Sequence, residues 1–197
     1  QMRDIPGVQV ELMRYTLPEG RRVPRPTECV QVVATLPGKT DRIVALGAHI
    51  DSLNLSVDPL EGPAPGANDD ASGIAACLEV LRSMSGRSWN QTIKVFGFSG
   101  EEQGLLGAKA IAACALEEGW NLGALLNNDT VGSSSNLAGQ HDPHRVRVFS
   151  EQSDRHHSRE LARFAEWQVR QSVPGFGIKL VLRKDRFGRG GDHTPFA

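Results

Sequence analysis

The chain has 197 residues, a formal net charge of −1, and 39% hydrophobic and 23% charged residues. This suits one soluble globular domain with a substantial core, and it excludes attraction of nucleic acid or an anionic membrane by overall charge. The longest apolar runs, such as 43–48 and 74–78, are far too short to span a bilayer.

The predicted elements begin with two strands, 8–15 and 29–36, separated by a Pro/Arg-rich turn, and a third at 42–48 that runs into His49 and Asp51. A Pro/Gly-rich loop over 58–66 leads to a helix over 72–84, whose Ile74, Leu78 and Leu81 share one face. A short apolar strand over 92–98 ends at Ser99-Gly100 and the acidic pair Glu101-Glu102. A helix over 105–117 is stopped by Gly119, and a strand over 121–128 ends at Asp129. A polar stretch fills 132–144, followed by strands at 146–149 and 178–182 with a helix near 159–171 between them. Strands alternating with helices predict a single-domain α/β fold: three layers, α/β/α, around a central, mostly parallel but mixed sheet. In such sheets ligands gather where the carboxyl ends of strands emerge. Three polar clusters of this chain follow strand ends.

Four clusters carry the chemistry: His49-Ile50-Asp51, Asn68-Asp69-Asp70, Glu101-Glu102 and Asn128-Asp129. Taken singly, each has a plain structural explanation. Asp70 or Ser72 can cap the following helix, Glu101-Glu102 can be acidic residues favoured at a helix start, and Asp129 can sit in a turn. Together, however, Asp69, Glu101, Glu102 and Asp129 are four negative charges, costly to bury unless cations compensate. Two divalent ions would balance them, and imidazole with carboxylate but no sulfur suits zinc, with manganese or cobalt as substitutes. In His-x-Asp, residues i and i+2 face the same way. Asp51 is therefore expected to accept a hydrogen bond from the imidazole nitrogen that does not hold metal. In Glu-Glu the neighbours point apart, so one can bind metal while the other serves as general base. Cys29, Cys77 and Cys114 show no CxxC spacing and imply no thiolate site; Cys77 and Cys114 are expected to be core thiols.

The segments Gly47-Ala48-His49-Ile50-Asp51-Ser52, Pro65 to Gly73, Phe98 to Gly104 and Asn127-Asn128-Asp129 resemble the dizinc aminopeptidases typified by secreted bacterial leucyl aminopeptidases, relatives of glutaminyl cyclases. The resemblance implies a zinc exopeptidase-like fold in which His49 and Asp129 hold one zinc, Glu102 the other, and Asp69 bridges both. It implies Glu101 as general base, Asp51 as the partner of His49, and a cis Asp69–Asp70 peptide. The family takes its last zinc-binding His, and a Tyr that steadies the oxyanion, from a later segment. Both are expected beyond Ala197, leaving the second zinc site incomplete in the chain as given. The stretch Asp192 to Phe196 resembles an element preceding that segment, so the ligand role is not carried onto His193. His141, His144, His156 and His157 are expected to be solvated surface residues.

The implied activity is hydrolysis of the peptide bond after an N-terminal residue, on a peptide or aminoacyl substrate. The rivals are a glutaminyl cyclase-like acyl transfer and a non-catalytic binding domain that keeps the fold. Gln1 in first place points to a processed or trimmed chain, and many relatives are secreted or periplasmic, so export is expected by resemblance.

Overall fold

The structure is a computed structural model that describes residues 1–20, 22–58, 61–136, 138–150, 157–183 and 190–197. They group into two compact units, Gln1–Gly132 with Gly191–Phe196, and Ser133–Gly190 with Ala197.

The first unit contains strands β1 (Gln9–Leu17), β2 (Thr27–Leu36), β3 (Ile43–His49), β4 (Thr92–Phe98) and β5 (Leu122–Asn127), and helices α1 (Ala71–Met84) and α2 (Leu106–Glu117). The sheet order is β1-β2-β4-β3-β5. β3 is parallel to both β4 and β5, whereas β1 and β2 form an antiparallel hairpin whose second strand runs antiparallel to β4. The near-continuous apolar runs of β3 and β4 reflect burial on both faces, as expected for central strands of a covered sheet. Side chains alternate between two cores. Ile93 and Val95 join Ala34, Leu36 and Ala48 beneath Cys77, Leu78 and Leu81 of α1. Val33, Ile43, Ala45, Phe96 and Phe98 pack on the other face against Ala108 and Ile111 of α2. Each fully buried large apolar side chain contributes roughly 1.5–3 kcal/mol, so these two cores fix the three layers. Phe196 closes the second core, stacked on Phe96 with ring centroids 6.1 Å apart.

Helix α1 starts where Asp70, one of the two caps that the sequence offers beside Ser72, accepts the Gly73 N–H at 3.0 Å, and it stops as Ser85 turns extended. Helix α2 begins one residue later than predicted, because Leu105 takes a left-handed φ of 61°. The Glu101-Glu102 pair therefore stands in a turn ahead of the helix rather than in its first turn. Cys77 is buried in the first core, whereas Cys114 is only half-buried on α2, so the expected core role holds for the former alone.

In the second unit, β6 (Arg145–Phe149), α3 (Ser158–Ser172) and β7 (Gly177–Val181) form a β-α-β element, its strands parallel from Arg145↔Gly177 to Phe149↔Val181. His141, His144 and His157 are exposed in this unit, and His156 lies outside the described residues. No helix among the described residues is long and apolar enough to cross a membrane.

Candidate metal centre

Strands β3, β4 and β5 run in one direction, so their carboxyl ends share one edge of the sheet. β3 ends at His49, β4 is followed by Glu101-Glu102, and β5 by Asn128-Asp129. The loop entering α1 brings Asp69 to the same edge. One ligand atom each from His49, Asp69 and Asp129 lies within 4.8 Å of the other two.

The His49 ring is buried, with 1% of its surface exposed. Its Nδ1 donates to the main-chain carbonyl of Asp51 at 3.0 Å, so Nε2 is the nitrogen turned toward Asp69. Nε2 lies 2.9 Å from Asp69 Oδ1 yet makes no hydrogen bond. A buried imidazole nitrogen 2.9 Å from one carboxylate oxygen, in a cluster with a second carboxylate, fits a divalent cation, and the nitrogen-oxygen donor set suits zinc.

The expected contact between the Asp51 carboxylate and the imidazole is not the one formed. Oδ1 stands 3.8 Å from Nδ1, and the hydrogen bond goes to the main-chain oxygen of the same residue. The reason is competition. The carboxylate accepts the N–H groups of Gly100 at 2.9 Å, Glu101 at 3.2 Å and Glu102 at 3.2 Å.

Asp70 plays a matching part on the other side. Its carboxylate accepts the N–H of His49 at 3.1 Å, Gly73 at 3.0 Å and Thr130 at 3.1 Å. It thereby joins the end of β3, the start of α1 and the residue after Asp129. Only glycine fits at position 73, because a Cβ there would stand 2.6 Å from both Asp70 carboxylate oxygens. The Asp69–Asp70 peptide is cis.

The electrostatics are those of crowded negative charge. Burial pushes the Glu101 carboxyl up to about 7, helped by Glu102, Asp129 and Asp51 and opposed by His49. Burial also raises Asp70 to about 6, despite the hydrogen bonds that favour its anion. Burial pulls the His49 imidazole down, but Asp70, Asp51, Asp129 and Glu101 outweigh it and hold the ring at about 9. Burial and the nearby Asp69 raise Glu102, with Arg22 opposing. The crowding differs from the expectation in one respect: Asp69 and Asp129 are exposed, because both lie on loops beyond the strand ends. The charges buried without solvent are those of His49, Asp70 and a residue the sequence left unassigned, Asp192. Its carboxylate is fully buried, makes no hydrogen bond with protein atoms, and is raised to about 8 by burial and by the charge of Glu101. Its stretch resembles a family element in sequence, but its burial comes from the long-range docking of the 191–196 segment. His193 is not among the three clustered ligand donors.

The family model described as Peptidase family M28 matches residues 31–196. A probable zinc metalloprotease of Leptosphaeria maculans is 36% identical over 209 residues, covering 96% of this chain and 48% of the relative, so the chain spans about half the length of that relative. An aminopeptidase from Aneurinibacillus sp. strain AM-1 superposes with a TM-score of 0.61 at 27% identity, over 87% of this chain and 37% of that one. A glutaminyl cyclase from an Acidobacteriales bacterium shares the fold at a TM-score of 0.67 and 19% identity, over 95% of this chain and 60% of its own. The chain is a member of peptidase family M28.

Proposed function

We propose that this chain is the metal-binding catalytic part of a zinc aminopeptidase that hydrolyses the peptide bond after an N-terminal residue. The observation that carries the reading is the convergence of one ligand atom each of His49, Asp69 and Asp129 within 4.8 Å, with Glu101 near enough to feel the charges of His49 and Asp129. Membership in the family and the names of the two relatives support it.

His49 and Asp129 would hold one zinc, and Asp69 would be shared with a second ion held by Glu102. Zinc bound there supplies Lewis acidity toward a carbonyl and lowers the pKa of water from 15.7 towards ~7. Glu101, raised to about 7, would take a proton from the attacking water. It then returns that proton to the amine that leaves as the C–N bond breaks. His49 keeps Nε2 as its metal-binding nitrogen because Nδ1–H is committed to the Asp51 carbonyl. Asp70 joins the end of β3, which carries His49, to Thr130, the residue after Asp129.

The test uses the Glu101→Gln variant, metal content by emission spectroscopy, and release of a chromogenic aminoacyl amide. The variant is expected to retain its metal and to lose on the order of 10²–10⁴ in kcat. Turnover equal to the parent would remove Glu101 from the mechanism. The fold shared with a glutaminyl cyclase keeps acyl transfer as the second reading. Cyclisation of an N-terminal glutamine peptide in preference to amide hydrolysis would select it.

A further inference from the structure

Strands β1 and β2 are joined through a tight turn. Gly20 and Val23 close it with two main-chain hydrogen bonds, Gly20 N–H to the Val23 oxygen at 2.9 Å and Val23 N–H to the Gly20 oxygen at 3.0 Å. Val23 is buried and anchors the turn. Inside it, Arg22 holds a left-handed φ of 63°. That backbone suits glycine, so a long side chain kept there points to a use for the side chain.

The Arg22 side chain is exposed and reaches the loop after β4, where Nη1 donates to the Glu102 main-chain oxygen at 2.6 Å. A guanidinium carries five N–H donors in a planar fork. Arg22 makes no ion pair among the described residues, so its charge is not neutralised by a carboxylate of these residues. Its neighbours are acidic. Of the main charges acting on His49, Asp70, Glu101, Glu102 and Asp192, Arg22 is the one lysine or arginine, and it acts on Glu102. A metal ion and a substrate amine answer the carboxylates of such a site. A substrate carboxylate has Arg22 to meet.

The chemistry of the cut then bears on substrate length. A dipeptide carries its terminal carboxylate only three bonds beyond the scissile carbonyl carbon. A longer or amidated chain has a neutral amide at the same place, which accepts a hydrogen bond but brings no charge. Paired with a guanidinium, a carboxylate forms charge-assisted, bidentate hydrogen bonds, roughly twice as strong as neutral ones.

We propose that Arg22 is a specificity-determining residue that binds the free carboxylate of a dipeptide, so that the site favours dipeptides over longer or amidated chains. This deepens the peptidase reading of the same site and rests on it.

The experiment gives zinc-loaded protein leucylglycine and leucylglycinamide, which differ in the terminal charge. The parent is expected to show a kcat/KM on the order of tenfold higher for the free dipeptide, mainly through KM. Arg22→Gly suits the left-handed backbone and so keeps the turn, and it is expected to bring the ratio of the two values to about one. Arg22→Lys, a point charge without the fork, is expected to lie between. A role confined to bracing the loop would change both substrates alike and leave the ratio at the parent value. That outcome overturns the proposal, as does a parent that prefers the amide or treats the two alike. Binding of the same pair is measured by calorimetry in zinc-loaded Glu101→Gln, with and without Arg22→Gly. A parent that cleaves neither peptide sinks the peptidase reading, while these affinities still decide Arg22. Tighter binding of the free dipeptide that Arg22→Gly abolishes supports the proposal, and equal affinities overturn it.

Discussion

Strands β3, β4 and β5 end side by side, and each delivers a chemically active side chain to the shared edge: His49, the Glu101-Glu102 pair and Asp129. Strands β1 and β2, on the antiparallel flank of the same sheet, deliver none. They instead brace the loop that follows β4. Tyr15 on β1 donates its hydroxyl to the Ser99 carbonyl at 2.7 Å, and buried Gln31 on β2 accepts the Ser99 N–H at 2.9 Å. Arg22, from the turn joining these strands, reaches the Glu102 carbonyl. The parallel half carries the candidate site residues, and the flank braces the loop that follows β4. Substitutions in the first region should abolish metal binding or turnover, and those in the second should weaken stability first.

The largest effect is expected from His49→Ala. It removes the one buried nitrogen donor of the cluster and leaves only exposed carboxylates to hold an ion. Metal measured after dialysis should fall below one ion per chain, and turnover of the aminoacyl amide should vanish with it. Full metal retention in this variant would mean that the cluster is not the metal centre.

Next comes the dependence of stability on pH, which belongs to the parallel half. Glu101, Asp70, Asp192 and His49 all have folded values above the ordinary ones, at about 7, 6, 8 and 9. Each therefore binds its proton more tightly folded than unfolded. That stability is present at low pH and is lost as pH rises through the folded values. The metal-free protein should thus unfold more easily at each step from about pH 4 to about pH 9. Zinc replaces protons on ligands, so its stabilising effect should be greatest at the alkaline end. Chemical denaturation across this window, with and without zinc, measures both. A metal-free protein that gains stability toward pH 9 would contradict the charge crowding.

Gln31→Leu probes the flank. It strands the buried Ser99 N–H, whose only hydrogen-bond acceptor among the described contacts is Gln31 Oε1, and should cost about 1–3 kcal/mol. Because glutamine does not titrate, the loss should be the same at every pH, shifting the curve without changing its slope. A loss confined to alkaline pH would instead tie Gln31 to the ionising cluster.

The parallel half was legible in the sequence because its signals are local. Apolar runs mark β3, β4 and β5, and the acidic and histidine residues follow them within a few positions, so order and placement identify the edge. Asp70 as helix cap was equally readable, since capping involves residues 70 and 73 alone. The flank's contribution was not legible. Gln31 interrupts an apolar strand pattern as an ordinary polar residue would, and its partner lies 68 positions away. Asp51 was assigned to the imidazole by its i, i+2 spacing, but three amides from across the sheet edge compete for the carboxylate and prevail. The stretch Asp192 to Phe196 was legible as a resemblance, but no role followed for Asp192, because only docking of the 191–196 segment buries it.

The smallest expected effect, from Tyr15→Phe, separates bracing from chemistry most finely. Burial raises the phenol to about 12, so Tyr15 remains a hydrogen-bond donor at any working pH. Its acceptor, the Ser99 carbonyl, also receives Gln31 Nε2 at 3.3 Å, so losing the hydroxyl leaves that oxygen with a partner. The cost should therefore be about 0.5–1.5 kcal/mol, below that of Gln31→Leu, with kcat within a few-fold of the parent. Each residue keeps the Ser99 carbonyl partnered when the other is lost, so the double variant strands that oxygen and should lose more than the sum of the single losses. Strict additivity in a double-mutant cycle would show that they brace the loop independently. A fall in kcat comparable to that of Glu101→Gln would make Tyr15 part of the reacting site and erase the distinction between the two regions.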